Sequence, residues 1–214
     1  MTHFITKEQY INDPCGTCST TFWKNAFHQK PDDIQIVHEK DLLAVYIEEY
    51  HITRYFRLMH ILNDLTTATL PAGYIVQTVN IATQKAVVSD FINLCYYDMQ
   101  TTPQQVDSWT KYEVFDNDLW LFICEKDSLS PVALGVADFD KEMKEGSLEW
   151  IQVLPEKRGM GFGQAVVGEL LIRLKPKASF ATVSGQSDNK TNPESLYRKC
   201  GFMGNDIWCV MRRK

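Results

Sequence analysis

The chain has 214 residues, of which 44% are hydrophobic and 23% charged, and its formal net charge is -5. These values are ordinary for a globular protein and argue against a disordered chain. The acidic balance argues against a general binder of nucleic acids or anionic membranes, because such a binder needs clustered Lys and Arg. We therefore expect one domain, or one domain with an extension, and neither a nucleic acid nor a membrane as partner.

Two further features of the sequence predict a cytoplasmic protein. No apolar run approaches the roughly 20 residues that a membrane helix needs. The N-terminus lacks the basic region and apolar stretch of a signal peptide.

The chain contains six cysteines, and Cys15 and Cys18 form an isolated C-x-x-C. A zinc site would need a second pair or suitably spaced histidines. A thioredoxin-type site would need a preceding strand, but here Asp13-Pro14 precedes the motif. We predict reduced thiols in a turn and no metal site. The other four cysteines lie among apolar residues and are expected in the core.

The first residues of the chain are predicted to form an N-terminal β-rich extension, residues 1–72. Residues 33–37 and 43–50 are rich in β-forming residues, and an apolar segment follows at 52–62. The aromatic residues of this region either help to shape a substrate pocket or build the core of the extension. They include Trp23, Tyr46, Tyr50, Tyr55 and Phe56.

The remainder, residues 73–214, is predicted to form the main domain, which begins with a strand at 74–79 and a helix at 81–97. A short helix follows Thr102, because Pro103 suits its first turn and Gln105 completes a capping box. The later strands are predicted at 119–124, 132–137, 147–153, 180–184 and 206–211, with helices from 161 to 174 and from Asn192 to Gly201. This order predicts an α+β fold with a mixed sheet and helices on its faces.

A glycine loop lies between the predicted strand at 147–153 and the helix that follows it. Arg158, Gly161 and Gly163 form R-x-x-G-x-G. Glycines let the backbone approach a ligand closely, and amide groups at a helix N-terminus bind phosphate. The same spacing also fits a tight turn without a ligand. The Walker pattern is absent, and a dinucleotide site would need more chain after the loop.

Two segments together resemble the GNAT superfamily of N-acetyltransferases. Residues 154–163, LPEKRGMGFG, resemble its acyl-CoA motif, and residues 192–202, NPESLYRKCGF, resemble its late motif. The chain is also similar to a group of bacterial GNAT proteins with an aromatic-rich N-terminal extension. The resemblance implies a mixed, mostly antiparallel central sheet with helices on both faces. It also implies an acyl-CoA-dependent N-acyltransferase that uses acetyl-CoA and no metal, with a primary amine of a small molecule or peptide as acceptor.

The resemblance also implies which residues hold acyl-CoA. The set is Ile151, Gln152 and Val153 through their main-chain groups, then Arg158, Gly159, Met160, Gly161, Phe162, Gly163 and Gln164, and finally Asn189 and Asn192. Asn192 is equally well explained as a helix cap.

Glu149 and Tyr197 are the predicted catalytic residues. Strand alternation places Glu149 on the same face as Ile151 and Val153, where a carboxylate can accept the amine proton directly or through water. Alternatively, Glu149 pairs with a neighbouring strand. By resemblance, the Tyr197 hydroxyl protonates the departing thiolate; the alternative is a core tyrosine. Cys200 is expected to pack rather than to act as a nucleophile, because no histidine lies near it in the sequence.

Two other functions fit parts of the pattern. One is a non-catalytic acyl-CoA-binding sensor or interaction module on the same fold, since a fold does not specify function. The other is a reductase that binds a dinucleotide at the glycine loop, although the late position of the loop argues against it.

Overall fold

The computed structural model describes residues 5–27, 33–65, 69–96 and 100–214. It divides into two compact units, the first formed by residues 1–61 with 182–214 and the second by residues 62–181. These boundaries differ from the domains predicted from the sequence, because the N-terminal and C-terminal residues fall in the same unit. The division at residue 72 stays a prediction.

The described residues form the following helices and strands. In chain order they are α1 (Lys7–Asn12), α2 (Pro14–Thr17), α3 (Phe22–Phe27), β1 (Ile34–His38), α4 (Ala44–Glu49), β2 (Tyr50–His60), β3 (Tyr74–Thr78), α5 (Ile81–Cys95), α6 (Pro103–Trp109), β4 (Trp120–Glu125), β5 (Pro131–Asp140), β6 (Glu145–Val153), α7 (Phe162–Leu174), β7 (Phe180–Gln186), α8 (Pro193–Lys199) and β8 (Met203–Arg213).

In the first unit the strands follow the order β1-β8-β2-β7. Both β1 and β2 pair antiparallel with β8, so that Ile36 lies opposite Val210 and Phe56 opposite Ile207. Two N-terminal strands therefore flank the C-terminal strand within one sheet. Of the aromatic residues named above, Trp23, Tyr50 and Phe56 are buried, which supports their role in the core.

The prediction for residues 43–50 was wrong, because this segment was expected to be β-rich and instead contains the helix α4. The β-branched residues Val45 and Ile47 of α4 are exposed, whereas Tyr46 and Leu42 pack against a buried cluster that includes Tyr50. The rings of Tyr46 and Tyr50 meet edge to face with centroids 5.8 Å apart. This spacing of four residues suits a helix, so tertiary packing overrides the β propensity of the segment.

Arg57 connects the N-terminal helices to the sheet of the first unit. Its side chain is buried, and it donates hydrogen bonds to the Tyr10 hydroxyl at 2.8 Å, the Pro14 carbonyl at 3.3 Å and the Ser184 hydroxyl at 3.2 Å. Buried charge is tolerated where such hydrogen bonds satisfy it. The short helices α1 and α2 are thus held by the sheet, and they were not predicted from the sequence.

His60 makes the stability of the first unit depend on pH. Its ring is buried against Phe202, and burial lowers its pKa below the ordinary value. As the pH falls through about 6.5, the unfolded chain takes up a proton that the folded protein does not, so the free energy of unfolding decreases until the lowered folded pKa is reached. Between about pH 7 and pH 5, we expect urea unfolding to show a larger loss of stability in the unaltered protein than in His60→Gln. Equal losses in the two proteins would contradict this prediction.

In the second unit the strands follow the order β6-β5-β4-β3, and each adjacent pair is antiparallel. The helices α5 and α6 cover one face. The other face carries α7, and a Cβ atom added to Gly135 of β5 would lie 2.5 Å from the Val166 side chain. The core on the α5 and α6 side consists of Val79, Val88, Phe91, Ile92, Cys95, Val106, Trp120, Phe122, Cys124, Leu134 and Val136.

Local sequence signals explain where several elements begin and end. The capping box of Thr102 and Gln105 is present at the start of α6. Asn192 caps α8, with Pro193 at the first helical position, and Gly201 follows α8 with a φ of 90°. These features confirm three predicted boundaries. The predicted class, α+β with a mostly antiparallel sheet, is also confirmed. None of the helices in the described ranges combines the length and hydropathy needed to span a membrane.

Candidate functional site

The glycine loop connects β6 to α7 in the second unit. Gly159 and Gly161 adopt left-handed φ values of 80° and 89°, which other residues rarely adopt. A Cβ atom added at either position would meet no atom within 4 Å. The glycines are therefore required by the backbone conformation, and the space beside each α-carbon is open.

The loop ends at the N-terminus of α7, a helix of 13 residues. Gly161 occupies the capping position, and no side chain of the described residues caps this end. The first helical hydrogen bond runs from the Ala165 amide to the Gly161 carbonyl at 3.1 Å. The amides of residues 162–164 thus lack helical partners and lie at the positive end of the helix dipole. This arrangement suits the binding of an anionic group such as a phosphate.

The side chains of the loop differ in their surroundings. Met160 is exposed, whereas Phe162 is 1% exposed. The Phe162 ring packs edge to face on Tyr74, with centroids 4.6 Å apart. Gly163 and Gln164 are half-buried. Of the predicted ligand-binding residues, Phe162 can therefore offer its main-chain amide, while its side chain belongs to the core.

Arg158 makes hydrogen bonds within the second unit. Its guanidinium donates to the Val153 carbonyl at 3.2 Å and to the Cys95 carbonyl at 3.5 Å. It therefore joins the loop to the end of β6 and to the end of α5. The predicted contact of Arg158 with a phosphate stays a prediction.

The strand β6 presents the main chain of alternate residues on the side away from β5. The Leu154 amide donates to the Val132 carbonyl at 3.1 Å. Hydrogen-bonded pairs alternate along an antiparallel ladder, so the next such pair joins Gln152 to Leu134. The amides and carbonyls of Ile151 and Val153 therefore point away from β5. The main chain of Gln152 is used within the ladder, and the contacts of Ile151 and Val153 with a ligand stay predictions.

A β-bulge interrupts β6 at Glu149. Trp150 lies opposite Val136, but Leu148 lies opposite Ala137, so Glu149 is the extra residue. Its carboxylate is half-buried and accepts a hydrogen bond from the Ser147 hydroxyl. A bulge shifts the alternation of side chains between the two faces.

The bulge corrects the predicted face of Glu149. Ile151 lies opposite Gly135, on the face covered by α7. Ser147 lies opposite Asp138, and Asp138 shares the α5 and α6 face with Val136 by alternation. The Glu149 carboxylate accepts a hydrogen bond from the Ser147 hydroxyl, so it lies with Ser147 on the α5 and α6 side of the sheet. It is not on the face of Ile151. The prediction was wrong because strict alternation assumes a regular strand.

Aromatic side chains surround Trp150 on the α5 and α6 side. The Trp150 ring stacks on Trp109 with centroids 5.4 Å apart and meets Tyr96 edge to face at 6.0 Å. All three rings are half-buried. Aromatic faces can hold a cationic group such as an ammonium. The sequence alone did not indicate a site at these residues, since aromatic residues at regular spacing usually belong to a core.

The predicted asparagines lie in the first unit, around the start of α8. The Asn192 side chain accepts a hydrogen bond from the Ser195 amide at 3.3 Å, which is a cap. The Asn189 side-chain oxygen accepts from the Thr191 amide at 2.9 Å. Both side-chain oxygens therefore have structural roles in this loop, and their contacts with a ligand stay predictions.

Tyr197 lies in the middle of α8 and is 7% exposed. Its ring centroid is 6.1 Å from that of Phe56 and 5.8 Å from that of Phe202.

Burial raises the pKa of the nearby Cys200 thiol to about 11, so this thiol is protonated at neutral pH. Cys200 therefore packs in the first unit, as expected, and lacks the thiolate that nucleophilic catalysis requires.

Comparison with known proteins identifies the fold. Residues 136–209, which are 74 of the 214 residues, match the model of the FR47-like protein family. A GCN5-related N-acetyltransferase from Sphaerobacter thermophilus has a similar structure, with a TM-score of 0.71 and 18% identity over 89% of this chain and 63% of that chain. A GCN5-related N-acetyltransferase from Kribbella flavida is similar with a TM-score of 0.59 and 16% identity, over 84% of this chain and 67% of that one. The search of curated proteins gave no match.

The chain therefore has the fold of the GCN5-related N-acetyltransferases, and the predicted resemblance to the GNAT superfamily is confirmed at this level. The match covers 89% of this chain but only 63% of the length of the Sphaerobacter protein. The resemblance to a bacterial group with an aromatic-rich extension stays a prediction.

Proposed function

We propose that the protein is an acyl-CoA-dependent N-acyltransferase that uses acetyl-CoA and acts on a primary amine of a small molecule or peptide. The observation that carries this proposal is the glycine loop, where Gly159 and Gly161 have positive φ values and lead into the uncapped start of α7. The main-chain groups of Ile151 and Val153, directed away from β5, support a second set of contacts along the pantetheine arm.

Three sets of residues are proposed to bind different parts of acyl-CoA. The amides of residues 162–164 bind the diphosphate through the positive end of α7. The main chain of β6 binds the pantetheine arm, and one of its amides stabilises the negative charge that develops on the thioester oxygen. Asn189 and Asn192 are proposed to contact the cofactor near α8, in addition to their roles in the loop.

The proposed reaction is a direct transfer. The amine nitrogen attacks the thioester carbon, and its proton passes to Glu149 or to water. The carbon–sulfur bond then breaks, and Tyr197 protonates the thiolate of coenzyme A. Glu149 directly precedes Trp150, whose half-buried ring stacks on Trp109, and this supports an acceptor with a cationic or apolar group near its amine. The predicted cytoplasmic location stays a prediction of the sequence.

An acceptor screen tests this proposal. Purified protein with acetyl-CoA would be mixed with polyamines, aminoglycosides, amino acids and peptides, and release of the coenzyme A thiol would be measured. We expect release above the rate of spontaneous hydrolysis with at least one amine class. Tight binding of acetyl-CoA without release for any amine would instead support the acyl-CoA-binding sensor, and absence of binding would contradict both functions.

A further inference from the structure

Three side chains outside the glycine motif connect to both ends of the loop. Tyr74 is the first residue of β3, Glu125 is the last residue of β4, and Lys157 directly precedes Arg158. All three lie in the second unit. We refer to Tyr74, Glu125 and Lys157 as the loop brace.

The loop brace holds the chain before the loop through Lys157. The Lys157 ammonium donates hydrogen bonds to the Glu125 carboxylate at 3.0 Å and to the Tyr74 hydroxyl at 3.2 Å. The same ammonium lies 5.6 Å from the centroid of the Tyr74 ring. The hydrogen bond from Lys157 lowers the pKa of Glu125, and the hydrogen bond to Glu125 raises the pKa of Lys157. Both groups are therefore charged at neutral pH.

The loop brace holds the chain after the loop through the ring of Tyr74. Phe162, the first residue of α7, packs edge to face on that ring with centroids 4.6 Å apart. One tyrosine thus contacts the residues that enter and leave the segment of positive-φ glycines. Glycine-rich segments lose more backbone freedom when they become ordered than other segments do. Contacts at both ends reduce the freedom that remains to be lost when a ligand binds.

We infer that Tyr74, Glu125 and Lys157 are positioning residues that fix the glycine loop for the diphosphate of acyl-CoA. This inference rests on the proposed function, because it concerns the affinity of the same loop for the same ligand. It assigns a role to residues of β3 and β4, which lie far from the loop in the sequence.

A competing account is that Lys157 binds phosphate directly and that its pairing with Glu125 is incidental. The two accounts predict opposite effects of removing the Glu125 charge. A carboxylate near an anionic ligand repels it, and it also competes for the lysine. On the competing account Glu125→Gln therefore strengthens binding. If the pair positions the loop, Glu125→Gln weakens binding although a negative charge has been removed.

The experiment measures coenzyme A affinity by calorimetry in the unaltered protein and in Glu125→Gln. Asp116→Asn is the matched control, because it removes the carboxylate charge of another ion pair with a lysine in the same unit. That pair joins Asp116 to Lys177 at 2.7 Å, beyond the C-terminal end of α7. We expect Glu125→Gln to weaken binding roughly threefold, the range of a partly exposed pair, and Asp116→Asn to leave it unchanged.

Two substitutions of Tyr74 separate its two contacts. Tyr74→Phe keeps the ring against Phe162 and removes the hydroxyl, so we expect a loss of coenzyme A affinity similar to that of Glu125→Gln. Tyr74→Leu removes both contacts, and we expect a loss of up to roughly tenfold, the upper range for an aromatic pair. Lys157→Arg can still pair with Glu125, so its affinity should stay close to that of the unaltered protein.

The outcomes distinguish failure of this inference from failure of the proposed function. Equal or tighter binding in Glu125→Gln overturns the inference and leaves the proposed function standing, as does a loss of the same size in Asp116→Asn. No binding of coenzyme A by the unaltered protein contradicts the proposed function itself. Melting temperatures of all variants show whether each protein is folded at the temperature of the titration.

Discussion

Replacing Tyr197 with Phe is expected to lower turnover by roughly 10²-fold or more while leaving acetyl-CoA affinity nearly unchanged. A positioned general acid contributes a factor of this size. The interaction strengthens only as charge develops on sulfur, so its loss reduces turnover rather than ground-state binding. The Tyr197 ring packs against the rings of Phe56 and Phe202, and Phe at this position preserves that packing. Turnover with the best acceptor and acetyl-CoA affinity are measured on the same preparation.

Tyr50→Phe is the matched control for the loss of a tyrosine hydroxyl in the first unit. Tyr50 is buried, and its hydroxyl accepts a hydrogen bond from the Gln35 side chain at 3.2 Å. If Tyr197 is only a core residue, both variants should lose some thermal stability and keep near-normal turnover. Full activity of Tyr197→Phe would mean that water or another group supplies the proton.

Replacing Gly161 with Val is expected to weaken acetyl-CoA binding by roughly tenfold or more, the equivalent of one charge-assisted hydrogen bond or more. The φ of Gly161 is 89°, and a β-branched residue there costs about 1–3 kcal/mol of backbone strain. The added side chain would occupy the open space beside the loop, where phosphate must approach. Calorimetry with acetyl-CoA measures the affinity.

Gly73→Val is the control for backbone strain. Gly73 has a φ of 86°, and a Cβ atom there also meets no atom within 4 Å. Both variants should therefore lose similar stability, but only Gly161→Val should lose most of its affinity. Unchanged affinity in a folded Gly161→Val protein would contradict the assignment of the loop.

Local signals in the sequence located several elements in both units and the glycine loop. The capping residues Thr102 and Asn192, the left-handed Gly201 and the glycines of the loop lie where they were predicted. Such positions are predictable because a cap or a positive φ depends on a few neighbouring residues and admits few residue types.

Other features were decided by contacts between residues distant in the sequence. The segment 43–50 has the composition of a strand, but Tyr46 packs on a buried cluster as part of α4. The bulge at Glu149 leaves no mark in the sequence, because it arises from the register between β5 and β6. Because of this bulge, the proposed base Glu149 lies on the face of the sheet covered by α5 and α6, and not on the predicted face of Ile151.

The sequence by itself thus determined the fold class, the element order from β3 onward and the position of the glycine loop. Each of these follows from hydrophobic periodicity or from the backbone preferences of glycine, proline and capping residues, which act over a few residues. The tertiary structure alone decided the face of Glu149, the pairing of the N-terminal strands with β8 and the contacts of Tyr74 with Lys157 and Phe162. These depend on strand register and on side-chain packing between distant segments, which a single sequence does not encode in any local pattern.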